Sequence, residues 1–140
     1  MNLIYTNIKK IATGLLSAAI LLWTSTACAN HYIATAYDLS PTSCGKSRDH
    51  WAYGVTASGY NLKGHTWSSA RTISADLSVL PLGTKLHINF PEPYHYMTGV
   101  YTVRDTGGGV HGNHIDIFFG EDAHAEAIKF GRRSVYITCI

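Results

Sequence analysis

The stretch VRDTGGGVHGNHIDIFFG, residues 103–120, decides the fold prediction because it joins two strand-like segments through a glycine-rich turn. The second segment alternates, which puts Ile115 and Ile117 on one face of a strand and His114 and Asp116 on the other. Aspartate is depleted in strands, and a carboxyl group held in an apolar strand needs a polar partner or a function. Asp116 is therefore a candidate functional acid.

A second aspartate, Asp105, ends the segment before the turn. If the two strands are neighbours, the turn brings both carboxyl groups to one rim. Two close carboxyl groups disfavour each other's ionisation, so one of them would have a raised pKa and could donate a proton near neutral pH. The alternative is local, because an aspartate at a strand end commonly forms a turn with its own backbone; this applies to Asp105 and also to Asp76, which precedes a Pro-Leu-Gly turn.

The rest of the chain also resembles a β protein. Short segments rich in β-branched and aromatic residues, bounded by turn formers, predict six strands: residues 31–39, 71–75, 84–90, 99–105, 114–119 and 134–140. One helix is predicted over residues 121–131, with Asp122 as its cap and Gly131 as its left-handed stop. We expect residues 41–69 to form surface loops. This pattern predicts an all-β domain with one short helix, closed into a barrel that leaves no strand edge unpaired.

Residues 1–29 have the layout of a secretory signal peptide, with Lys9 and Lys10 followed by thirteen mostly apolar residues and a small-residue cleavage site at Ala29. The apolar run is shorter than the ~20 residues of a spanning helix, which disfavours an uncleaved anchor. Lipidation of Cys28 is also disfavoured, because Ser25 stands where a lipobox normally has leucine. The sequence therefore predicts export to the periplasm, the cell wall or the medium, with residues 30–140 as the domain.

Export leaves 111 residues, enough for one small domain. Nine basic residues then face nine acidic ones, and this zero formal charge argues against a nucleic-acid partner. Cys44 and Cys139 remain as an even pair, for which an oxidising compartment favours one disulfide; two separate buried thiols are the alternative.

Metal chemistry is a further alternative, because His111, His114 and Asp116 lie close together in the sequence. Histidines three residues apart usually bind zinc from one face of a helix, whereas glycines and a strand separate these residues. The sequence thus predicts no metal and no other cofactor. It also lacks the G-x-S-x-G pattern of many serine hydrolases.

Five segments together carry a family resemblance: YIATAYDLSPTSCG, GVTASGYNL, ADLSVLPLGTKLHI, VYTVRDTGGGVHGNHIDIFF and EAIKFGRRSVYI. They resemble the three-aspartate (3D) domain of bacterial cell-wall enzymes, a family that includes stationary-phase survival proteins and is similar to the catalytic region of membrane-bound lytic transglycosylase A. The resemblance implies a six-stranded double-psi β-barrel. It maps the three aspartates of the family onto Asp76, Asp105 and Asp116.

The same resemblance implies a lytic transglycosylase that cleaves the β-1,4 bond between N-acetylmuramic acid and N-acetylglucosamine and leaves 1,6-anhydro products. Asp116 would act as general acid and then general base. Asp105 would orient and tune Asp116, and Asp76 would hold the rim or bind sugar hydroxyls. The partner would be the glycan strands of peptidoglycan.

Four further residues are candidates for contacts with the sugar: Thr56, Ser58, Tyr37 and His114. Trp51 and Trp67 could offer faces for stacking, although most aromatic residues are ordinary core residues. The alternative function is a non-catalytic, expansin-like module that binds polysaccharide or peptidoglycan. The sequence leaves open whether the domain forms a homodimer.

Overall fold

The computed structural model describes residues 30–140, so the expected signal peptide and Cys28 lie outside the described part of the chain. Six strands form the fold: β1 (Asn30–Asp38), β2 (Thr72–Ala75), β3 (Lys85–Asn89), β4 (Gly99–Asp105), β5 (His114–Gly120) and β6 (Arg133–Cys139). Short helices connect them: α1 (Pro41–Cys44), α2 (Trp67–Ala70), a 3₁₀ turn (His95–Met97) and α3 (His124–Phe130). No helix among these residues is long and apolar enough to cross a membrane.

The strands close into a barrel in the order β1-β5-β2-β4-β3-β6. Strands β1 and β5 are parallel, as are β2 and β4, whereas the other neighbouring pairs are antiparallel. Exchanging the first three strands with the last three leaves both the order and the directions unchanged. This internal twofold symmetry fits the double-psi arrangement, and the expected all-β six-stranded barrel is confirmed.

The barrel interior holds the main hydrophobic core, which includes Ile73, Tyr101, Ile115 and Ile137. A second cluster lies outside the barrel wall, where Tyr53 and Leu62 from the long 45–66 segment pack against Phe118 of β5. The prediction of surface loops over residues 41–69 is therefore wrong in part, because the segment contains two helices and buries its own apolar residues against the barrel.

Helix α3 lies within the predicted range, with Ala127 and Phe130 buried. Gly131 ends it with φ 62° and ψ −133°, so the predicted left-handed stop is wrong although φ is positive as glycine permits. The predicted cap is wrong. Ala123 occupies the N-cap position without a side-chain hydrogen bond, because the Asp122 carboxyl group pairs with the guanidinium of Arg48 instead.

The predicted disulfide between Cys44 and Cys139 is also wrong. Cys44 is a free thiol whose Sγ lies 3.3 Å from the carbonyl oxygen of Leu39. Cys44 follows the carboxyl end of β1. Cys139 lies in β6 near the amino end of β1, because Ile137 of β6 pairs with Asn30 at that end. Nine residues of strand separate the two ends by on the order of 25 Å, and a disulfide requires Cα atoms within about 7 Å. Cys139 is engaged elsewhere in the molecule.

Candidate active site

Asp105 on β4 and Asp116 on β5 lie on either side of strand β2. Strands β4 and β5 are not neighbours, so the condition on which the sequence placed both carboxyl groups at one rim is not met; β2 separates the two strands. Ser74 of β2 pairs with Asp116 on one side and with Asp105 on the other. The barrel register therefore gathers the two aspartates around Ser74.

These three residues lie in the wall of a cavity of about 570 Å³. The 43–62 segment also lines the cavity and contributes Cys44, Lys46, Trp51 and Thr56. Gly107 and Gly108 of the glycine-rich turn also line the cavity. A cleft of this size with several polar groups is a suitable site for a small ligand or part of a polymer.

The surroundings of Asp116 raise the pKa of its carboxyl group. Burial raises the pKa of its carboxyl group, and the nearby Asp105 raises it further, while a hydrogen bond from Thr35 and the charge of His114 act in the opposite direction. The Thr35 hydroxyl lies 2.8 Å from Oδ1 of Asp116. Oδ2 has no protein hydrogen bond among residues 30–140 and is not sealed from solvent, so it is available to a ligand.

Asp105 is held in place by the backbone. Its Oδ1 accepts hydrogen bonds from the N–H groups of Ala57, at 3.0 Å, and Thr106, at 2.9 Å. The first bond ties the long segment to the barrel across the cavity. Asp105 thus fixes the cavity wall in addition to placing a carboxyl group near Asp116.

Asp76, the third predicted aspartate, does not line the cavity. Its Oδ1 accepts from the hydroxyl of Ser78, at 2.6 Å, and from the Ser78 N–H group, while Oδ2 accepts from the N–H group of Gly112 at 2.8 Å. These bonds, that of the Ser78 hydroxyl first, lower the pKa of Asp76 to about 2. Asp76 therefore stabilises the glycine-rich turn and lies outside the cavity that Asp105 and Asp116 line.

The residues expected to bind sugar divide into two groups. Thr56 and Tyr37 line the cavity and are buried, whereas Ser58 and His114 are not in its wall. The Thr56 hydroxyl is used internally, 3.1 Å from both the Tyr60 carbonyl oxygen and the Ser58 hydroxyl. The Tyr37 hydroxyl is the one buried side-chain polar atom without a hydrogen-bond partner in the described part of the chain. Burial, followed by the neighbouring carboxyl groups, raises the pKa of Tyr37.

Of the two tryptophans considered for stacking, Trp51 lines the cavity and Trp67 does not. Trp51 lies at the cavity with 88 % of its surface exposed, beside the ring of His50 at 5.6 Å. Trp67 instead packs against the guanidinium of Arg71 and the ring of Tyr96, away from the cavity. Trp51 is thus the tryptophan available for stacking on a ligand there.

Sequence reasoning missed Thr35 and Ser74, the two hydroxyl residues closest to the aspartates in the sheet. Thr35 pairs with Asp116 because β1 runs parallel to β5. Parallel pairing joins strands that are far apart in sequence, and no local pattern in either segment indicates which residues become partners. Sequence reasoning also missed Lys46 in the cavity wall, because the 45–66 segment has no hydrophobic periodicity that would place its residues.

The histidines of the glycine-rich turn do not assemble with Asp116 into a ligand set. His111 Nε2 lies 2.8 Å from the carbonyl oxygen of Gly108, and both ring nitrogens of His114 are also in hydrogen bonds. Across residues 30–140, no group of three or more His, Cys, Asp or Glu side chains is arranged to hold a metal ion.

Known proteins provide three comparisons. The family model of the 3D domain matches residues 71–140. Two Bacillus subtilis (strain 168) proteins are each 36 % identical: YabE, named as a cell wall shaping protein, over 74 % of this chain and 21 % of its own length, and YocH, named as a cell wall-binding protein, over 60 % and 25 %. The chain thus spans about a quarter or less of these relatives.

Among solved structures, E. coli MltA with bound chitohexaose aligns with a TM-score of 0.49 at 22 % identity, over 60 % of this chain and 26 % of its own. The lytic transglycosylase LtgG of Burkholderia pseudomallei aligns with a TM-score of 0.45 at 23 % identity, over 67 % and 28 %. The matched family region contains β2 to β6 and all three predicted aspartates. This chain therefore belongs to the 3D domain family.

Proposed function

We propose that this protein is exported and cleaves the glycan strands of peptidoglycan as a lytic transglycosylase. One observation carries the proposal: Asp116 combines a raised pKa with an unpartnered oxygen at a cavity, which are the properties that a general acid needs near neutral pH. Membership in the 3D domain family and the cell-wall names of two relatives support peptidoglycan as the substrate.

In the proposed reaction, protonated Asp116 donates its proton to the oxygen between N-acetylmuramic acid and N-acetylglucosamine as that bond breaks. The resulting carboxylate then accepts the proton of the sugar's own 6-hydroxyl group, whose oxygen closes a 1,6-anhydro ring. The proton balance is closed, because the donated proton stays on the leaving hydroxyl group and the proton of the 6-hydroxyl restores the acid form of Asp116. The substrate provides the nucleophile, so no second protein carboxylate has to attack.

Other cavity residues have supporting roles in this proposal. Asp105 raises the pKa of Asp116 and holds the wall at Ala57. Trp51 presents an exposed ring at the cavity, whereas Tyr37 is buried in the wall with its hydroxyl sealed from solvent. Asp76 acts indirectly by holding the turn at Gly112.

A binding module is the second candidate. The name of YocH and the exposed Trp51 favour it, because aromatic faces commonly bind sugars without any chemistry. Trp51 serves both functions equally well, whereas an acid with a raised pKa serves only the enzyme.

Digestion of purified peptidoglycan by residues 30–140 separates these alternatives, with mass analysis of the soluble products. The proposal predicts anhydro-muropeptides from the wild type, unchanged by chelator, and at least ~10²-fold less product from Asp116→Asn. The matched control, Asp49→Asn, changes an exposed aspartate outside the cavity and should digest normally. Co-sedimentation with the wall without soluble products would contradict the enzyme and support the binding module. Activity abolished by chelator would indicate a metal-dependent hydrolase.

A further inference from the structure

Three side chains form a continuous hydrogen-bond chain that ends at Asp116. His114 Nδ1 lies 3.1 Å from the carbonyl oxygen of Gly109, and His114 Nε2 lies 2.9 Å from Oγ1 of Thr35. The same Thr35 oxygen lies 2.8 Å from Oδ1 of Asp116. His114 therefore contacts Asp116 through Thr35 and has no place in the cavity wall.

The chemistry of the donors limits the states of this chain. A carbonyl oxygen only accepts, so His114 Nδ1 must carry a hydrogen. Thr35 has one hydroxyl hydrogen, which can be donated to Asp116 or to His114 but not to both. Whether His114 Nε2 carries a hydrogen thus determines whether the Thr35 hydroxyl donates to Asp116 or to His114.

When His114 is protonated on both nitrogens, Nε2 donates to Thr35 and the Thr35 hydroxyl donates to Oδ1 of Asp116. Oδ1 is then occupied as an acceptor, so the acid proton of Asp116 resides on Oδ2, the oxygen without a protein partner. When His114 is neutral, Nε2 accepts from Thr35, and the Thr35 oxygen can only accept from Asp116. The acid proton then resides on Oδ1, directed at Thr35 and withheld from the ligand.

We propose that protonated His114, acting through Thr35, keeps the acid proton of Asp116 on Oδ2. His114 is a positioning residue in this scheme, and the productive enzyme holds two protons, one on His114 and one on Asp116. The inference rests on the proposed lytic reaction for its kinetic consequence, whereas the hydrogen-bond states themselves do not depend on the substrate. His114 is half-buried and can exchange protons with solvent.

Few other charges face this chain within the described residues. Asp105 on β4 faces Asp116 and raises its pKa, while Tyr37 on β1 is neutral because burial raises its own pKa. Cys44 and Lys46 line the same cavity, and exposed His111 is bonded to Gly108 in the turn. Within residues 30–140, no charged side chain other than Asp116 is hydrogen-bonded to His114 or Thr35.

The first test uses NMR and needs no activity. The ring-nitrogen shifts of His114 should show both nitrogens protonated at low pH and the Nδ1–H form after deprotonation, whereas the Nε2–H form would overturn the proposal. His114→Gln removes the charge that lowers the pKa of Asp116, so the carboxyl carbon of Asp116 should titrate at higher pH than in the wild type. His95→Gln, an exposed histidine in the 3₁₀ turn, should leave that titration unchanged.

The second test is the pH dependence of kcat/KM on peptidoglycan. Above both pKa values the wild type should lose activity with a limiting slope of about −2 in log(kcat/KM) against pH. His114→Gln should give about −1, because the glutamine amide donates to Thr35 at every pH. Thr35→Val should also lower kcat/KM by ~10-fold, the value of about one hydrogen bond, and Thr35→Ser should restore it. A slope of about −2 in His114→Gln, or full activity in Thr35→Val, would refute the proposal.

These tests separate the two inferences. If the protein releases no anhydro-muropeptides but His114 and Asp116 titrate together through Thr35, the lytic function fails and the hydrogen-bond states stand. If lytic activity is present and the titrations of His114 and Asp116 are independent, the function stands and the role of His114 fails.

Discussion

Asp116 is a carboxylic acid that the fold tolerates at a cost in stability. Burial is the largest influence on its pKa, and burial disfavours the charged form. A folded-state pKa above the unfolded value of 3.8 means that the folded protein binds the proton more tightly. The contribution of Asp116 to stability is therefore most favourable in acid and is lost as pH rises through its folded pKa.

Replacing Asp116 by asparagine should consequently stabilise the protein while abolishing its activity. The neutral amide avoids the penalty that burial imposes on the ionised carboxyl group, and its oxygen can still accept from Thr35. We expect a higher Tm for Asp116→Asn at pH 7 by calorimetry, with the difference vanishing below pH 3.8. Asp49→Asn should leave Tm unchanged at both pH values, and a lower Tm for Asp116→Asn at neutral pH would contradict the assignment of a raised pKa.

Asp76 should behave in the opposite way, because its pKa is lowered to about 2. A depressed pKa contributes stability above the unfolded value of 3.8, and that contribution is lost as pH falls through about 2. Asp76→Asn should lower Tm at neutral pH and accelerate hydrogen exchange at the Gly112 amide. The Tm difference from wild type should shrink between pH 3.8 and about 2. Exchange at Gly112 that stays as slow as in the wild type would show that Asp76 does not hold the turn.

At the residue scale, the sequence indicates Asp116 because an acid in an alternating apolar strand violates a local preference. Thr35 violates no local preference, since threonine is common in strands. Only the parallel pairing of β1 with β5 shows that Thr35 lies beside Asp116. Cys44 and Cys139 illustrate the opposite error. An even count predicts a bond, whereas the distance along β1 forbids it.

At the element scale, all six strands are predicted within one residue at each end, because alternation and turn residues are local signals. Helix α3 is predicted for the same reason. Its cap is not, because the competing partner of Asp122 is Arg48, a residue more than seventy positions earlier. The 45–66 segment is the least predictable element, since its buried residues follow no period.

Apolar packing outside the barrel attaches that segment together with hydrogen bonds such as that of the Ala57 N–H group to Asp105. Leu62 is 1 % exposed, packs in the cluster outside the barrel and lines the cavity. Truncation to Leu62→Ala should destabilise the protein by about 2–5 kcal/mol in urea unfolding. The matched control Val79→Ala, at an exposed position, should change stability by less than ~0.5 kcal/mol. A small effect of Leu62→Ala would mean that the segment is not packed as described.

At the scale of the whole molecule, the barrel brings together residues that are distant in the sequence. Ser74, Asp105 and Asp116 come from three strands, and Thr35 comes from a fourth. The internal symmetry places β2 and β5, which carry Ser74 and Asp116, side by side as equivalent strands. The sequence predicts the number of strands and the closed architecture, but the strand order that creates the cavity depends on long-range pairing.

The central claim, that Asp116 drives cleavage without water, is tested most directly by digesting peptidoglycan in ¹⁸O-labelled water. A lytic transglycosylase closes the anhydro ring with the sugar's own oxygen, so the soluble muropeptides should be anhydro forms without ¹⁸O, and Asp116→Asn should release almost none. Products that carry ¹⁸O at the cleaved muramic acid would show hydrolysis and contradict the account.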